Sequence, residues 1–223
     1  MKMREEKLIL GIDESGRGPV IGPLVVVGAL AYENDSDRLK VIGVKDSKML
    51  SPHQRERLYP LIKKILKDYV IIKIPAKKID ELRREKNLNM IEAEVMAQII
   101  KAMKADIAYI DTPQVSVEKF KKILLNLAGN KTKLICENYA EKYPICAAAS
   151  IIAKVERDKE IRKIERKNKI FVRTGYPHDE YTIKFLKNCK GNYPDFVRKS
   201  WVTVSELKTK KEQKTLKEYK RNK

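Results

Sequence analysis

The fold is decided by residues 8–19, which read LILGIDESGRGP. The apolar run from residue 8 to 12 has the length and composition of a buried β-strand, and it ends in two adjacent carboxylates, Asp13 and Glu14. A glycine-rich turn follows, and the next apolar run, LVVVGALA at residues 24–31, has the composition of a second strand. We therefore predict a β-hairpin with a long connection, and long connections in compact domains are often functional.

The remaining segments predict a mixed sheet flanked by helices. The predicted strands cover residues 69–74, 107–110 and 134–136, and the predicted helices cover residues 52–67, 117–127 and 146–169, with a short basic helix around Ile79 and Leu82. Ser51 is the predicted N-cap of the first helix, and Asn89, with Glu92 three residues on, is the predicted N-cap of a further helix. An initial hairpin followed by alternating strands and helices predicts an α/β fold, antiparallel at its start and parallel later.

Composition points to a polyanionic partner. The 223 residues include 49 Lys and Arg against 30 Asp and Glu, a formal net charge of +19. An excess of this size indicates nucleic acid, an anionic membrane surface or an acidic protein as the partner. Apolar runs stay well short of the ~20 residues that cross a bilayer, and the polar N-terminus does not resemble a signal peptide. The three cysteines lack paired spacing and indicate reduced thiols, so we expect a cytoplasmic protein without membrane association.

The C-terminal residues 208–223 form a basic tail, with eight Lys and Arg against two Glu. A charge run of this kind is either a solvated surface or a contact with the polyanion, and the sequence leaves both interpretations open.

Carboxylates close two of the predicted strands. Asp13 and Asp111 each follow an apolar run, and sites in α/β sheets form at the carboxyl ends of strands, so the two side chains converge if their strands are neighbours. Glu14 points to the opposite face of a regular strand unless the glycine turn redirects it. Clustered carboxylates repel one another unless a cation joins them, and oxygen ligands suit Mg²⁺ or Mn²⁺.

The turn after the acids strengthens this interpretation, because a lone acid at a strand end is usually only a turn former or a helix cap. Gly16 and Gly18 allow backbone N–H groups to approach a sugar or a phosphate closely, and Arg17 supplies a planar fork for phosphate. Two cations beside such a turn would suit phosphodiester hydrolysis.

Several segments, in the same order, resemble ribonuclease HII, the type 2 ribonucleases H, and the archaeal branch of that family most closely. They are GIDESGRGP at 11–19, VKDSKMLSP at 44–52, YID at 109–111, AAASIIAKVERD at 147–158 and TGYP at 174–177. The resemblance extends over roughly residues 8–205.

The resemblance implies a ribonuclease H-like catalytic domain over residues 1–180 and a small, basic, helical extension over residues 181–223. It implies a metal-dependent endoribonuclease that hydrolyses the RNA strand of RNA–DNA hybrids and nicks duplex DNA 5′ of a single embedded ribonucleotide, leaving 3′-hydroxyl and 5′-phosphate ends. Such an enzyme uses Mg²⁺ or Mn²⁺, with two ions expected, and we expect a monomer. The alternative function is a non-catalytic basic nucleic-acid-binding protein, which would gain nothing from acids beside phosphate.

The family's motifs also imply roles for individual residues. Asp13, Glu14 and Asp111 would be metal-binding catalytic carboxylates. Substrate contacts are implied for the turn and for the downstream motifs: Gly16, Arg17 and Gly18 on the 2′-hydroxyl, Tyr176 against the adjacent sugar, and Lys45, Ser47 and Lys48 near the phosphates.

The family's fourth catalytic acid precedes a Lys-Tyr-Pro-like segment, and that region reads ENYAEKYP at residues 137–144 here. Without a gap the acid's position falls on Ala140, and with a one-residue deletion it falls on Glu141. Asp158 lies in a better-matched segment, but it is about three turns into the predicted helix and is four residues from Arg162, a spacing that favours an ion pair. We therefore predict Glu141 as the fourth catalytic acid.

Two residues near the C-terminus complete the candidates. Trp201 is expected to pack the C-terminal helices on the core. Arg198 is either a rim residue of that packing or a phosphate contact.

Overall fold

A computed structural model describes residues 6–113 and 116–209. Its five strands form one sheet in the order β3-β2-β1-β4-β5. They are β1 Leu8–Ser15, β2 Leu24–Tyr32, β3 Asp68–Ile74, β4 Ile107–Asp111 and β5 Lys133–Glu137. β1 is antiparallel to β2 and parallel to β4, and β4 is parallel to β5. The predicted mixed sheet with its initial hairpin is thus confirmed.

Helices occupy most of the chain between the strands. They are α1 Ser36–Val41, α2 Pro52–Ile65, α3 Ala76–Leu82, α4 Leu88–Met103, α5 Val117–Ala128, α6 Pro144–Asn168 and α7 Glu180–Asn188, and residues 202–209 are helical as well. Within the described residues, every helix is too short or too polar to cross a membrane. From residue 210 onward the predicted basic tail lies outside the described residues.

The N-cap predictions had different outcomes. Ser51 caps α2 as predicted, and its hydroxyl accepts from the N–H of Gln54. The prediction of Asn89 as the cap of α4 is wrong, because the helix begins at Leu88 and Asn89 lies in its first turn. Asn87 is the cap: its backbone is extended and its side chain accepts from the N–H of Met90, which satisfies a donor that the helix leaves free.

The start of α6 packs directly on β1. A Cβ atom on Gly11 would overlap the carbonyl group of Ile145, so only glycine permits this approach of helix and strand. Next to this contact the thiol of Cys146 donates to the carbonyl oxygen of Ile12 at 3.3 Å. The three alanines that follow, residues 147–149, are fully buried, and their small side chains suit such close packing.

The chain forms two compact units that are interleaved along the sequence. Of the described residues, the first unit comprises those up to Ser15, Val25–Lys73 and those from Lys86 to Arg157, and the second comprises Gly16–Leu24, Ile74–Glu85 and those from Asp158 onward. Each unit has its own apolar cluster; Ile9, Val27 and Ile151 belong to the first, and Ile21, Ile161 and Val197 to the second. These units do not correspond to the two domains expected from the sequence, and the expected boundary of the catalytic domain at residue 180 stays a prediction.

Candidate functional site

Three carboxylates of the first unit lie together at one edge of the sheet. Asp13 is near the end of β1, Asp111 ends β4, and Glu141 lies in a short 3₁₀ turn after β5. One oxygen of each carboxylate lies within 4.8 Å of the other two. Ile12 and Ile110 are paired in the parallel register of β1 and β4, so the acids that follow them lie side by side.

The environment of this acid cluster disfavours its negative charges. Asp13 is 3% exposed, and burial together with the negative charge of Asp111 raises its pKa well above the ordinary range. Burial, with repulsion from Glu141, raises the pKa of Asp111 to about 6. Crowded oxygen donors with such pKa values fit a hard divalent cation, which would relieve the repulsion, and Mg²⁺ or Mn²⁺ has the matching ligand preference.

Hydrogen bonds fix the orientation of two of the acids. Oδ1 of Asp13 accepts from the N–H of Glu14 at 2.6 Å, and the Ser150 hydroxyl also donates to the Asp13 carboxylate. Oδ1 of Asp111 accepts from the N–H of Ala140 at 2.8 Å. Short hydrogen bonds therefore hold the carboxylates of Asp13 and Asp111 in orientations that keep their oxygens within the acid cluster.

The backbone adopts an uncommon conformation just before Glu141. Tyr139 adopts the left-handed conformation (φ 63°, ψ 46°), which is uncommon for a residue other than glycine. Ala140 then binds Asp111 through its N–H group, and Glu141 is buried with its carboxylate in the cluster. Of the two positions that the alignment of the ENYAEKYP region left open, the geometry thus places Glu141 beside Asp13 and Asp111.

Two residues of the Asp46-Ser47-Lys48 segment reach this region. The Lys48 ammonium lies 3.4 Å from Oε1 of Glu141. The hydroxyl of Ser47 lies 2.9 Å from that of Ser150, which in turn binds Asp13. Lys45, the third candidate of this segment, has an exposed side chain.

Two supporting residues were not predicted as functional. Arg55 on α2 donates from Nη1 to the carbonyl oxygens of Ser47 and Leu50, which holds the loop in place. Ser150 links the loop to Asp13. Its sequence context offered a signal, because it is a single hydroxyl in an otherwise apolar stretch of α6.

Glu14 lies apart from the acid cluster. Among the described residues, the group within 4.8 Å consists of Asp13, Asp111 and Glu141. Glu14 is half-buried and pairs with Val26 on β2, so it follows the regular alternation of the strand. Its predicted role as a metal ligand stays a prediction. Asp158, the rejected candidate for the fourth acid, belongs to the second unit.

The second unit brings the predicted ribonucleotide-binding residues together. Gly16 has φ 92°, a conformation that L side chains rarely adopt, so the turn requires glycine there. A Cβ on Gly18 would lie 3.3 Å from Cε1 of Tyr176, which places the tyrosine ring against the turn. The N–H groups of Val20 and Ile21 donate to the carbonyl oxygen of Gly175 and tie the two segments together.

Arg198 has a different environment from the two that the sequence suggested. Its side chain is fully buried and donates to the carbonyl oxygens of Gly16, Arg17 and Gly22 at 2.6, 3.1 and 3.0 Å. A guanidinium enclosed in this way is neither at a rim nor open to phosphate, so both predictions for Arg198 are wrong. Trp201 packs against the apolar cluster of the second unit as expected, and its Nε1–H also donates to the carbonyl oxygen of Gly18 at 3.1 Å.

Comparisons with known proteins agree on one family. The family model of ribonuclease HII matches residues 10–204. A ribonuclease HII from Methanothrix thermoacetophila is 40% identical over 205 residues, which cover 90% of this chain and 97% of that protein. The crystal structure of ribonuclease H2 from Pyrococcus horikoshii superposes with a TM-score of 0.84 at 37% identity, covering 92% of this chain and 99% of the other. The ribonuclease HII solved in complex with PCNA from Archaeoglobus fulgidus gives a TM-score of 0.81 at 43% identity, covering 89% and 96%.

Proposed function

This chain belongs to the ribonuclease HII family and is an endoribonuclease, and from that premise we propose that it hydrolyses the RNA strand of RNA–DNA hybrids and nicks duplex DNA 5′ of single ribonucleotides. The observation that carries the proposal is the group of three carboxylates within 4.8 Å in a chain of net charge +19. The positive charge attracts a nucleic acid, whereas buried acids beside phosphate disfavour its binding. Such acids are expected where a bound cation offsets their charge and takes part in a reaction on the phosphate.

The acid cluster is the proposed metal centre. Asp13, Asp111 and Glu141 would hold Mg²⁺ or Mn²⁺, two ions being expected, with Glu14 as a further candidate ligand. When bound, such cations activate a water molecule and stabilise the departing 3′-oxygen of a phosphodiester. Cleavage of the bond between phosphorus and this 3′-oxygen yields the proposed 3′-hydroxyl and 5′-phosphate ends.

The protein's own groups orient these acids and meet the phosphate. The N–H groups of Glu14 and Ala140 direct the oxygens of Asp13 and Asp111. Lys48 contacts Glu141, yet most of its side chain is exposed, so we propose that its ammonium also binds a substrate phosphate. Charged groups that are positioned in advance need little rearrangement as negative charge develops in the reaction.

Discrimination of ribonucleotides is assigned to the turn of residues 16–18 with Tyr176. The 2′-hydroxyl is the group that distinguishes RNA from DNA, and a turn without side chains at positions 16 and 18 allows close approach of backbone N–H groups. The ring of Tyr176 against Gly18 would pack on the adjacent sugar. Only Glu14 and Ser15 separate Asp13 from this turn in the sequence, so the proposed ribonucleotide-binding turn follows directly after the strand that carries Asp13.

Labelled duplexes test the proposal. DNA duplexes with zero, one or four consecutive ribonucleotides, and a full RNA–DNA hybrid, are incubated with and without Mg²⁺. We expect cation-dependent cleavage of every ribonucleotide-containing substrate, a single nick 5′ of an isolated ribonucleotide, and an upstream product that a DNA polymerase extends from its 3′-hydroxyl. Binding of all substrates without cleavage would instead support the non-catalytic nucleic-acid-binding protein.

We further propose that one protomer is sufficient for activity, since a single chain supplies all three acids of the cluster. Light scattering coupled to gel filtration should give a mass near 25.8 kDa at catalytic concentrations.

A further inference from the structure

The three carbonyl oxygens of the turn at residues 16–18 are all bound by side chains of one distant segment. Arg198 donates from Nη2 to Gly16 and from Nη1 to Arg17, and Trp201 donates from Nε1 to Gly18. The donors come from 181 to 183 residues away in the sequence and belong to the same compact unit as the turn. The segment 198–201 therefore determines which way each peptide group of the turn faces.

Asp80 on α3 holds that segment in turn. Its Oδ2 accepts from the N–H of Lys199 at 2.7 Å, and its Oδ1 accepts from the N–H and the hydroxyl of Ser200 at 3.0 and 2.7 Å. Three charge-assisted hydrogen bonds accepted by one carboxylate are a strong restraint on two successive residues. We call Asp80 and residues 198–201 the brace.

The brace determines how the turn can bind a ligand. Because the carbonyl oxygens of residues 16–18 are engaged by Arg198 and Trp201, the N–H groups are the part of the turn's backbone that is directed toward another molecule, beside the side chain of Arg17. An N–H group donates to an oxygen, and the oxygen that a deoxyribonucleotide lacks is the 2′-hydroxyl. Binding of the 2′-hydroxyl by these N–H groups depends on the orientation of the peptide groups. The brace fixes this orientation through the carbonyl oxygens of the turn.

We propose that Arg198, Trp201 and Asp80 are positioning residues for recognition of the 2′-hydroxyl, an inference that rests on the proposed function of the turn. A duplex with one ribonucleotide offers one 2′-hydroxyl at this position, whereas a long hybrid offers further 2′-hydroxyl contacts along its strand. Loosening the brace therefore reduces cleavage of the single-ribonucleotide duplex more than cleavage of the hybrid.

Trp201→Phe is the mildest test variant, because it keeps an aromatic ring beside Arg83 and Arg198 while it removes the bond to Gly18 and part of the ring's volume. We expect kcat/KM on the single-ribonucleotide duplex to fall about tenfold, the equivalent of one net hydrogen bond at the upper end of its usual range, and that on the hybrid to fall by less than about threefold. Arg198→Lys should give the same selective loss with a larger amplitude. Equal losses on both substrates would overturn the proposal.

Asp80→Asn and Asp195→Asn form a matched pair. Asp80 accepts from the backbone N–H groups of Lys199 and Ser200. Asp195 instead contacts the exposed ammonium groups of Lys77 and Lys199. Both changes remove one negative charge from the same unit, but only Asp80→Asn should lower the ratio of single-ribonucleotide to hybrid cleavage. The same ratio in both variants would contradict the proposal.

A binding measurement separates this inference from the proposed function. Trp201 is the only tryptophan of the chain, which also has ten tyrosines, so tryptophan emission excited selectively over tyrosine reports on the brace directly. In a chelator that prevents cleavage, a duplex with one ribonucleotide should change this emission more than an all-DNA duplex of the same sequence. Identical changes from both duplexes would refute the positioning role even if the wild type cleaves ribonucleotides; absence of all cleavage by the wild type would instead refute the proposed function.

Discussion

The ammonium nitrogen of Lys48 lies 3.4 Å from Oε1 of Glu141, and the two side chains differ sharply in exposure, at 72% and 6%. A mostly exposed cation thus contacts a buried member of the acid cluster. The negative charge of Glu141, with that of Asp46, favours the protonated form of Lys48 and more than offsets the effect of its partial burial, so its pKa is raised. Lys48 therefore remains charged at neutral pH and moderates the negative charge of the cluster.

Replacement of Lys48 is expected to change two properties in opposite directions. Lys48→Met removes a positive charge, so divalent cations should bind the cluster more tightly, and the Mg²⁺ concentration for half-maximal activity should fall about threefold. Loss of a phosphate partner should at the same time raise KM for the hybrid. Lys45→Met is the control, and it should raise KM without altering the Mg²⁺ requirement. A Mg²⁺ titration at saturating substrate distinguishes the two variants.

The acid at position 141 is tested against the acid at position 158. Glu141→Gln keeps the size of the side chain but removes a ligand charge, so kcat should fall on the order of 100-fold, about 2.7 kcal/mol in the activation barrier, with a higher Mg²⁺ requirement. Asp158→Asn should keep near wild-type turnover and alter mainly the melting temperature. The opposite pattern in a metal titration would reverse the assignment of the fourth acid.

Asp111 links activity to pH-dependent stability. Its pKa is about 6 in the folded, metal-free protein and near 3.8 in the unfolded chain, so between these values the folded state binds more protons. The free energy of unfolding consequently falls as pH rises through this window and stays lower above it. Asp111→Asn should abolish cleavage yet stabilise the metal-free protein at pH 7.5 by on the order of 1 kcal/mol, less than the full pKa shift because the group is partly exposed.

Thermal unfolding in a chelator from pH 4 to 8 measures this effect. The wild type should lose stability between about pH 4 and 6, whereas Asp111→Asn should show a smaller loss there. Adding Mg²⁺ should stabilise the wild type at pH 7.5 more than the variant. Parallel pH profiles for the two proteins would show that Asp111 carries no unfavourable charge.

Tyr176 is expected to matter through its ring. Tyr176→Ala removes the surface that packs against Gly18, so cleavage of a single-ribonucleotide duplex should fall about tenfold more than cleavage of a long hybrid. Tyr176→Phe retains the ring and should keep most of the activity. Steady-state kinetics on the two substrates make the comparison, and equal effects on both would remove Tyr176 from ribonucleotide recognition.

The tail contributes charge that the sequence alone describes. Residues 208–223 contain eight Lys and Arg against two Glu. If they contact phosphates, their removal should weaken binding and flatten the plot of log K against log salt by about 0.9 per lost contact on B-form DNA, with kcat unchanged. Binding isotherms from about 50 to 300 mM salt give the slope, and an unchanged slope would mean that the tail is only solvated.

The sequence predicted the architecture well where local pattern and strand geometry coincide. An apolar run that ends in acids and glycines implied the hairpin, and the rule for strand ends brought Asp13 and Asp111 together. The N-cap of α4 was misplaced because Asn87 and Asn89 both satisfy the local residue preference, and the helix begins directly after the first of them.

Local sequence patterns could not predict the hydrogen bonds between residues that are distant in the sequence. Arg198 is a typical surface residue by composition, and its burial depends on carbonyl groups more than 170 positions earlier in the chain. Ser150 similarly acquires its contact with Asp13 only when α6 packs on β1. Such roles follow from the assembled backbone and have no periodic signature.

Gly11 imposes a structural requirement on any attempt to transfer this site to another protein. It carries no reactive group, yet its missing side chain lets the start of α6 lie directly on β1, from where Ser150 reaches Asp13. Copying Asp13, Asp111 and Glu141 onto another sheet would reproduce the acids without the spacing that orients them. A successful transfer of the site therefore has to include a glycine at the position of Gly11 together with the three carboxylates.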